Sequence, residues 1–375
     1  MLGVVLCADF GEREVFGVPV ALRAALSLQA AGVDRVLVIG ADSPTWLRDD
    51  RLKVACEIAS EWPDGDALVV ADGAVVDPKS MRTLAAREGE ARLHEGLEIV
   101  CARTSRGGKT IDDLGRGAEL APGGVALFGR TQDELRRSEN ALMLSLRKPQ
   151  DGWVSRSINR HLSLAVTRRL VKTGLRPNQV SAAILVIGVA SGVCAALFGP
   201  AGLAVGAVLF QAQSVLDGCD GELSRLTFRG SRTGEWLDTV GDDLTNYSFF
   251  TGAALGLRAM GAPAIVWAMG LIGVAIGVIA SAIEYRYLVS IGSGDLLKYP
   301  LGFGEDPEKP TDPTLSQRVL GAFRPMFKRD FFAFATMIAA LAGPAALSAA
   351  IVAFSIGAAA TLSAVIASEV RRARA

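Results

Sequence analysis

The sequence has few of the side chains that build soft-metal and redox centres. It contains two histidines and five cysteines among 375 residues, and the cysteines form no CxxC pair and show no zinc-ligand spacing. We therefore expect no histidine-based metal or triad site, and we interpret the cysteines as packing residues in a reducing compartment. The formal net charge is zero, so the composition does not indicate nucleic acid as a partner.

Charged residues are unevenly distributed along the chain. Residues 1 to about 150 mix charged and apolar positions, whereas from Gln179 onward charge is confined to short segments between apolar runs. The pattern predicts a soluble domain at 1–148, an amphipathic juxtamembrane helix at 149–178 and a membrane domain at 179–375. The amino-terminal residues have no secretory-signal pattern, so we expect the soluble domain to be cytoplasmic.

Six apolar stretches predict an all-α membrane domain of six transmembrane helices. The first, 179–199, carries no charge over about 30 Å of helix, which matches one bilayer core. The others are expected from Leu203 through the following acidic stretch and at 234–257, 263–285, 330–341 and 345–368. The loops on one side contain a single basic residue, so the positive-inside rule predicts cytoplasmic amino and carboxyl termini in the inner (cytoplasmic) membrane.

Basic and apolar residues alternate before the first span, in 153–178. This pattern favours a helix that lies along an anionic leaflet and contacts membrane lipids. A solvated linker helix is the alternative. The same basic density would also attract phosphate-bearing substrates.

Five aspartates lie within residues 217–243, between apolar runs. Helical spacing places Asp217 and Asp220 on one face, and Asp238 and Asp242 on one face of the next helix. Four carboxylates that converge repel one another unless a cation neutralises them, and oxygen-only ligands suit Mg²⁺ or Mn²⁺. The alternative is a set of solvated acids paired with nearby arginines: Arg225, Arg229 and Arg232. Asp243 is expected to be an exposed neighbour.

The spacing of these residues resembles the signature of the CDP-alcohol phosphotransferase superfamily. The pattern D-x2-D-G-x2-A-R-x8-G-x3-D-x3-D is matched from Asp217 to Asp242, except that Ser224 replaces the usual alanine. The segment 177-PNQVS-181 resembles the beginning of the family's first span. The resemblance covers residues 152–369, approximately.

The resemblance implies a membrane transferase that moves a phospho-alcohol group from a CDP-linked donor to an acceptor hydroxyl and releases CMP. It implies that Asp242 is the catalytic base. It implies four ligands for Mg²⁺ or Mn²⁺: Asp217, Asp220, Asp238 and Asp242. It implies a nucleotide-binding set: Asp217, Asp220, Gly221, Ser224, Arg225, Gly234, Asp238 and, as a further candidate, Asn178. Three basic residues are candidates for an acceptor phosphate, although positive-inside anchoring explains them equally well: Arg286, Lys328 and Arg329.

The substrates remain open within this family. A soluble CDP-alcohol such as CDP-inositol is favoured as the donor, with an alcohol, phospho-alcohol or lipid acceptor. The alternative is a CDP-diacylglycerol-dependent enzyme of the phosphatidylinositol-phosphate or phosphatidylglycerol-phosphate synthase type. A noncatalytic membrane scaffold or transporter is an alternative of another class. Family members are often dimers, so the resemblance also implies a homodimer.

The amino-terminal part alternates short buried strands with helices, which predicts a Rossmann-like α/β domain. Strands are expected at 3–8, 35–40, 67–71, 97–102 and 124–129. The order is similar to that of sugar-phosphate nucleotidyltransferases, which occur fused to CDP-alcohol phosphotransferases in di-myo-inositol phosphate phosphate synthesis. However, the loop after the first strand, 8-ADFGEREVFGVPVALR-23, has three acids and no lysine. It would hold a triphosphate poorly, so we expect a degenerate, noncatalytic domain.

Overall fold

The computed structural model describes residues 1–114, 117–147, 152–300 and 329–374. They form two compact units. The first unit consists of Met1–Lys148 together with Arg225–Arg229, and the second of Pro149–Ser224 and Gly230–Ala375. The first contains the β-sheets and the second is helical.

A seven-stranded mixed sheet forms the centre of the first unit, with strand order β10-β8-β9-β6-β1-β4-β5. Its strands are β1 Leu2–Leu6, β4 Arg35–Ile39, β5 Ala55–Ala59, β6 Ala67–Val70, β8 Ala91–Glu95, β9 Glu98–Thr104 and β10 Ala118–Glu119. β1, β4, β5 and β6 are parallel, and β9 is antiparallel to both β6 and β8. The interior strands are apolar because both faces of the sheet are covered. The expected α/β character is therefore confirmed.

Two short ribbons and three α-helices also belong to the described part of this unit. The ribbons pair β2 Glu14–Val15 with β3 Val18–Pro19, and β7 Ala74–Val76 with β11 Ala126–Phe128. The helices are α1 Val20–Ala30, α2 Pro78–Ala86 and α3 Gln132–Ser145. Asp77 caps α2 by accepting a hydrogen bond from the Ser80 amide, and a Thr131–Glu134 capping box begins α3. These are favourable polar helix starts.

Residues Arg225–Arg229 belong to the first unit because two arginines bind their carbonyl groups. Arg23 is buried on α1 and donates from Nη2 to the carbonyl oxygens of Val15 at 3.0 Å and Leu226 at 2.7 Å. Arg51 donates to the carbonyl oxygen of Thr227 at 2.8 Å. Burial, with Arg51 nearby, lowers the pKa of Arg23 to about 9.

The second unit begins with a π-helical turn, Ser155–Asn159, that continues into α4 Arg160–Leu170. Six longer helices follow in the described part of the chain: α5 Pro177–Leu197, α6 Gly199–Thr227, α7 Arg232–Ala259, α8 Ala264–Ser290, α9 Arg329–Ala342 and α10 Pro344–Arg374. α5, α6, α8 and α10 are long and apolar enough to cross a membrane. α7 carries four acidic residues and α9 has only 14 residues, so neither meets that description. Four such helices indicate a membrane protein.

Glycine and proline separate consecutive helices at two sharp connections. Gly199 and Gly343 have φ values of 58° and 117°, which favour glycine because it has no Cβ. Pro200 follows Gly199 within the first turn of α6, and Pro344 begins α10. Proline is well tolerated there because the first amides of a helix lack intrahelical partners. Both breaks lie between apolar stretches that the sequence predicts to be separate spans.

Small residues allow α5 and α7 to pack backbone against backbone. A Cβ added to Gly252 on α7 would lie 2.0 Å from the carbonyl oxygen of Gly192 on α5. A Cβ added to Gly256 on α7 would lie 2.2 Å from the carbonyl oxygen of Ala195 on α5. Glycine therefore permits this close approach, as is common between membrane helices.

Aromatic residues form the core that joins α6, α7, α9 and α10. Phe210 stacks on Phe249 with ring centroids 4.5 Å apart, and Phe250 stacks on Phe354 at 3.7 Å. Phe332 on α9 lies against both Phe210 and Phe250. Phe210 precedes Asp217 by two helical turns and Phe249 follows Asp242 by two turns. The core therefore fixes α6 and α7 side by side beneath their aspartates.

Candidate metal centre

Three carboxylates converge between α6 and α7. Each of Asp217, Asp238 and Asp242 offers an oxygen within 4.8 Å of the other two. Asp217 and Asp242 are half-buried, whereas Asp238 is exposed. The donor set is entirely oxygen, which suits a hard divalent cation such as Mg²⁺ or Mn²⁺ and leaves coordination positions for water or phosphate. The residues present therefore fit the expected metal.

Asp220, the fourth expected ligand, is not part of this group of three. Its side chain is 8% exposed and accepts a hydrogen bond from Ser181 Oγ on α5, and one from the Gly221 amide at 2.5 Å. Ser181 is the last residue of the PNQVS segment, and the sequence assigned it no role. Its contact with Asp220 gives that segment a physical function, because it joins the beginning of α5 to the motif on α6.

Arg329 at the beginning of α9 contacts the converging carboxylates directly. Its Nη1 donates to Asp242 and lies 3.3 Å from Oδ2 of Asp217. Nη2 donates to Gln213 Oε1 at 2.6 Å and Nε donates to Asn246 Oδ1 at 3.3 Å. Gln213 and Asn246 lie one turn from Asp217 and Asp242 on their helices, so they hold the guanidinium in this orientation.

The expected nucleotide-binding residues include a cluster at the beginning of α7. Ser231 caps the helix by accepting a hydrogen bond from the Gly234 amide at 3.0 Å. Its hydroxyl donates to Asn178 Oδ1 at 3.4 Å. A Cβ on Gly234 would lie 3.0 Å from the same Asn178 oxygen. Gly234 therefore provides room for Asn178, and Ser231 is a neighbour that the sequence did not single out.

The remaining expected residues lie in several places. Gly221 and Ser224 are half-buried on α6, and Arg225 is exposed in the part of the chain that belongs to the first unit. Arg286 is exposed near the end of α8, and no ion pair joins it to the three aspartates within the described residues. Lys328 lies outside the described residues.

Asp243 is not the exposed neighbour that the sequence suggested. It is half-buried and accepts hydrogen bonds from Tyr285 Oη at 2.6 Å and from Ser281 Oγ, both on α8. The Ser281 hydroxyl also lies 2.7 Å from Tyr247 Oη. A single residue step turns a helical side chain by 100°, so Asp242 faces α6 while Asp243 faces α8. Asp243 thus joins α7 to α8.

Comparisons with known proteins agree with this part of the chain. Residues 175–304 match the family model described as CDP-alcohol phosphatidyltransferase. This match confirms, over residues 175–304, the resemblance that the aspartate spacing shows.

Curated relatives carry the name "Bifunctional IPC transferase and DIPP synthase". The chain is 36% identical to the one from Aquifex aeolicus over 108 residues, which are 29% of this chain and 24% of that protein. It is 31% identical to the one from Archaeoglobus fulgidus over 126 residues, 33% of this chain and 25% of the relative. For Rubrobacter xylanophilus the identity is 37% over 144 residues, 37% of this chain and 32% of the relative. The matched regions thus span only about a quarter to a third of the relatives' lengths.

A solved structure is also similar. It is the phosphatidylinositol phosphate synthase of Mycobacterium tuberculosis with CDP-DAG bound, at 18% identity and a TM-score of 0.39. The superposition covers 54% of this chain and 90% of that one.

Proposed function

Because the chain contains a CDP-alcohol phosphatidyltransferase domain at residues 175–304, we propose that it is an integral-membrane phosphotransferase. It moves a phospho-alcohol group from a CDP-linked donor to an acceptor hydroxyl and releases CMP. The convergence of Asp217, Asp238 and Asp242 is the observation that carries this proposal. All three belong to the family signature, and they come from two different helices.

The aspartates have different roles in the proposed reaction. Asp217, Asp238 and Asp242 would hold Mg²⁺ or Mn²⁺, and Asp220 would support the site from its position against Ser181. When bound, the cation supplies charge stabilisation at the pyrophosphate of the donor. Asp242 accepts the proton of the acceptor hydroxyl, the acceptor oxygen forms the new bond to phosphorus, and the phosphorus–oxygen bond to CMP breaks.

The glycines and polar residues beside the carboxylates form the proposed nucleotide site. Gly221 and Gly234 are proposed to let CDP approach the backbone, with Asn178 beside Gly234, and Asn178, Ser224 and Arg225 would offer polar contacts. Arg286, Lys328 and Arg329 are the proposed candidates for binding an acceptor phosphate. The contact of Arg329 with Asp217 and Asp242 supports its place in the site.

A soluble CDP-alcohol such as CDP-inositol is the favoured donor. The curated relatives' name, with its IPC transferase and DIPP synthase activities, supports this choice over CDP-diacylglycerol. The test is to supply purified protein and Mg²⁺ with CDP-inositol and with CDP-diacylglycerol in parallel, each with inositol phosphate and with lipid acceptors. CMP from CDP-inositol supports the proposal. CMP from CDP-diacylglycerol alone would support the phosphatidyltransferase alternative, and no CMP from either would favour a scaffold or transporter.

The first unit is proposed to be a Rossmann-like, nucleotidyltransferase-like domain without catalytic activity. Its loop after β1 offers backbone amides that a phosphate would need, but the Asp72 carboxylate accepts hydrogen bonds from the amides of Asp9 at 2.9 Å and Phe10 at 3.3 Å. A carboxylate at these amides opposes an anionic ligand. We expect no CDP-inositol from CTP and inositol phosphate, and its formation would contradict this assignment.

The proposed topology has six membrane spans, with both termini on the cytoplasmic side of the inner membrane. α7 and α9 supply the two spans beyond the four apolar helices, because they pack into the same aromatic core. A homodimer is also proposed on family grounds. Crosslinking in membranes tests the dimer, and labelling of single cysteines placed at the two ends of α7 tests its crossing.

A further inference from the structure

A buried carboxylate lies on α6 between the signature residues but is not part of the signature. Glu222 is 0% exposed. It accepts hydrogen bonds from Arg160 Nη1 at 2.5 Å, Ser163 Oγ at 2.8 Å and Thr167 Oγ1 at 2.7 Å. All three donors come from α4, at helical spacings of three and four residues, so they share one face. We call these four residues the Glu222 clasp.

Gly218 lies beside the clasp on α6. A Cβ added to Gly218 would lie 3.4 Å from both Arg160 Nη1 and Glu222 Oε1. The neighbouring Cys219 is fully buried, and its Sγ lies 3.6 Å from the carbonyl oxygen of Ser163. α4 therefore docks on α6 through a polar face, with Cys219 and Leu223 packing beside it.

The clasp lies on the opposite side of α6 from the aspartates. At 100° per residue, Glu222 is turned about 140° from Asp217 and about 200° from Asp220. One side of the helix thus carries the metal-binding and motif carboxylates, while the other side is fixed to α4. A rotation of α6 about its axis would move Asp217 away from Asp238 and Asp242, and it would also separate Glu222 from its three donors.

The composition of the clasp opposes such a rotation more strongly than apolar packing would. A buried ion loses its water, so a carboxylate with three matched donors has one favoured position and no comparable alternative nearby. Apolar side chains can slide past one another at smaller cost because their contacts are not directional. The donors are also specific to one register of α4, since a shift by one residue would point Ser163 and Thr167 elsewhere.

We propose that Glu222 is a positioning residue for the metal centre. Through Arg160, Ser163 and Thr167 it sets the rotation of α6 that aims Asp217 at the carboxylates of α7. This inference rests on the proposed metal site and adds a role for α4 beyond contact with lipid. It does not require Glu222 to touch the metal or the substrate.

The test compares Mn²⁺ affinity among variants of the full chain in detergent, by electron paramagnetic resonance, with thermal unfolding measured alongside. Glu222→Gln keeps the size of the side chain and removes its charge. We expect about tenfold weaker Mn²⁺ binding, at the lower end of the effect of residues that support metal ligands. The matched control is Glu369→Gln, which removes the partner of Arg372 in a partly exposed ion pair. It should keep wild-type affinity.

A pair of variants with smaller changes tests the inference if Glu222→Gln does not fold. Thr167→Val removes the hydroxyl that donates to Glu222, and Thr167→Ser retains it. We expect weaker Mn²⁺ binding for the valine variant and wild-type binding for the serine variant. Lower thermal stability with unchanged Mn²⁺ affinity would make the clasp a purely structural contact and overturn the inference. Wild-type protein that binds no Mn²⁺ would overturn the metal site itself, and this inference with it.

Discussion

The guanidinium of Arg329 bridges Asp217 on α6 and Asp242 on α7, contacting one carboxylate from each helix. It thereby partly neutralises the charge that a divalent cation would otherwise neutralise alone. Like charges repel, so Arg329 and a bound cation oppose each other at these carboxylates. The phosphate of an acceptor would give the guanidinium of Arg329 an alternative partner. This is the acceptor-phosphate role for which the sequence makes Arg329 a candidate.

Replacing Arg329 by glutamine is expected to strengthen Mn²⁺ binding in the absence of substrate. The change removes a positive charge beside the site and leaves a shorter, neutral polar side chain. We expect a roughly tenfold gain in affinity, equivalent to about 1.4 kcal/mol, together with lower turnover. Titration by electron paramagnetic resonance measures the affinity. Arg258→Gln is the control, since Arg258 instead lies over the ring of Trp267. Weaker Mn²⁺ binding in Arg329→Gln would show that Arg329 does not oppose the cation.

The hydrogen bond from Ser181 to Asp220 is expected to matter for catalysis. Ser181→Ala would leave a buried carboxylate with one donor fewer, and hydrogen bonds to charged groups contribute about 1.5–3 kcal/mol. We therefore predict a loss of at least about tenfold in kcat/KM for the CDP-linked donor. Ser363→Ala is the matched control, because the Ser363 hydroxyl donates within its own helix, to the carbonyl oxygen of Ala359. Equal kcat/KM values for the two variants would show that the Ser181 hydroxyl does not contribute to the reaction.

The close approach of α5 and α7 predicts that a glycine-to-alanine change at their contact lowers stability more than the same change elsewhere. Gly252→Ala would place a methyl group 2.0 Å from a backbone oxygen, whereas the Cβ of Gly357→Ala on α10 would meet no atom of the described residues within 4 Å. Overpacking typically costs about 1–3 kcal/mol, so the first variant should unfold at a lower temperature. The second should match or slightly exceed wild type, because alanine favours helix. Thermal unfolding in detergent measures both, and an unchanged transition for Gly252→Ala would contradict the packing.

The buried cysteines of the first unit are expected to react slowly with thiol reagents. Burial, followed by the charge of Asp72, raises the pKa of Cys7 to about 11, and burial raises the pKa of Cys101 as well. At pH 8 only roughly one Cys7 in a thousand is thiolate, so labelling should accelerate as the pH rises towards 11. The half-buried Cys56 should label first. Mass spectrometry after timed labelling at pH 8 identifies the sites. Labelling of Cys7 as fast as Cys56 would contradict its role as a packing residue.

The local pattern of the sequence was sufficient to predict much of the fold. The apolar runs at 35–40 and 67–71 became central strands because a strand covered on both faces needs an apolar side chain at every position. Residues 55–59 form the edge strand β5 without such a run, because much of this strand is exposed. Residues 55–59 form a strand because they pair with β4, and no local sequence pattern shows this pairing.

The candidate site also combines features that the sequence predicts with contacts that it does not reveal. Helical spacing and the family signature predicted the faces that carry Asp217, Asp238 and Asp242. Spacing does not reveal contacts between distant helices, so it left out Ser181 beside Asp220 and misjudged Asp243, which faces α8. Glu222 and Arg160 are 62 residues apart in the chain, and only the packing of α4 on α6 makes them partners.

The most direct measurement of the central claim is Mg²⁺-dependent release of CMP from CDP-inositol by the purified chain, with an acceptor present. Asp242→Asn should lower the rate at least about 100-fold, because it removes both a cation ligand and the proposed base. Asp42→Asn, which changes an exposed aspartate of the first unit, should retain the wild-type rate. Undiminished CMP release by Asp242→Asn, or release that does not depend on Mg²⁺, would contradict the account.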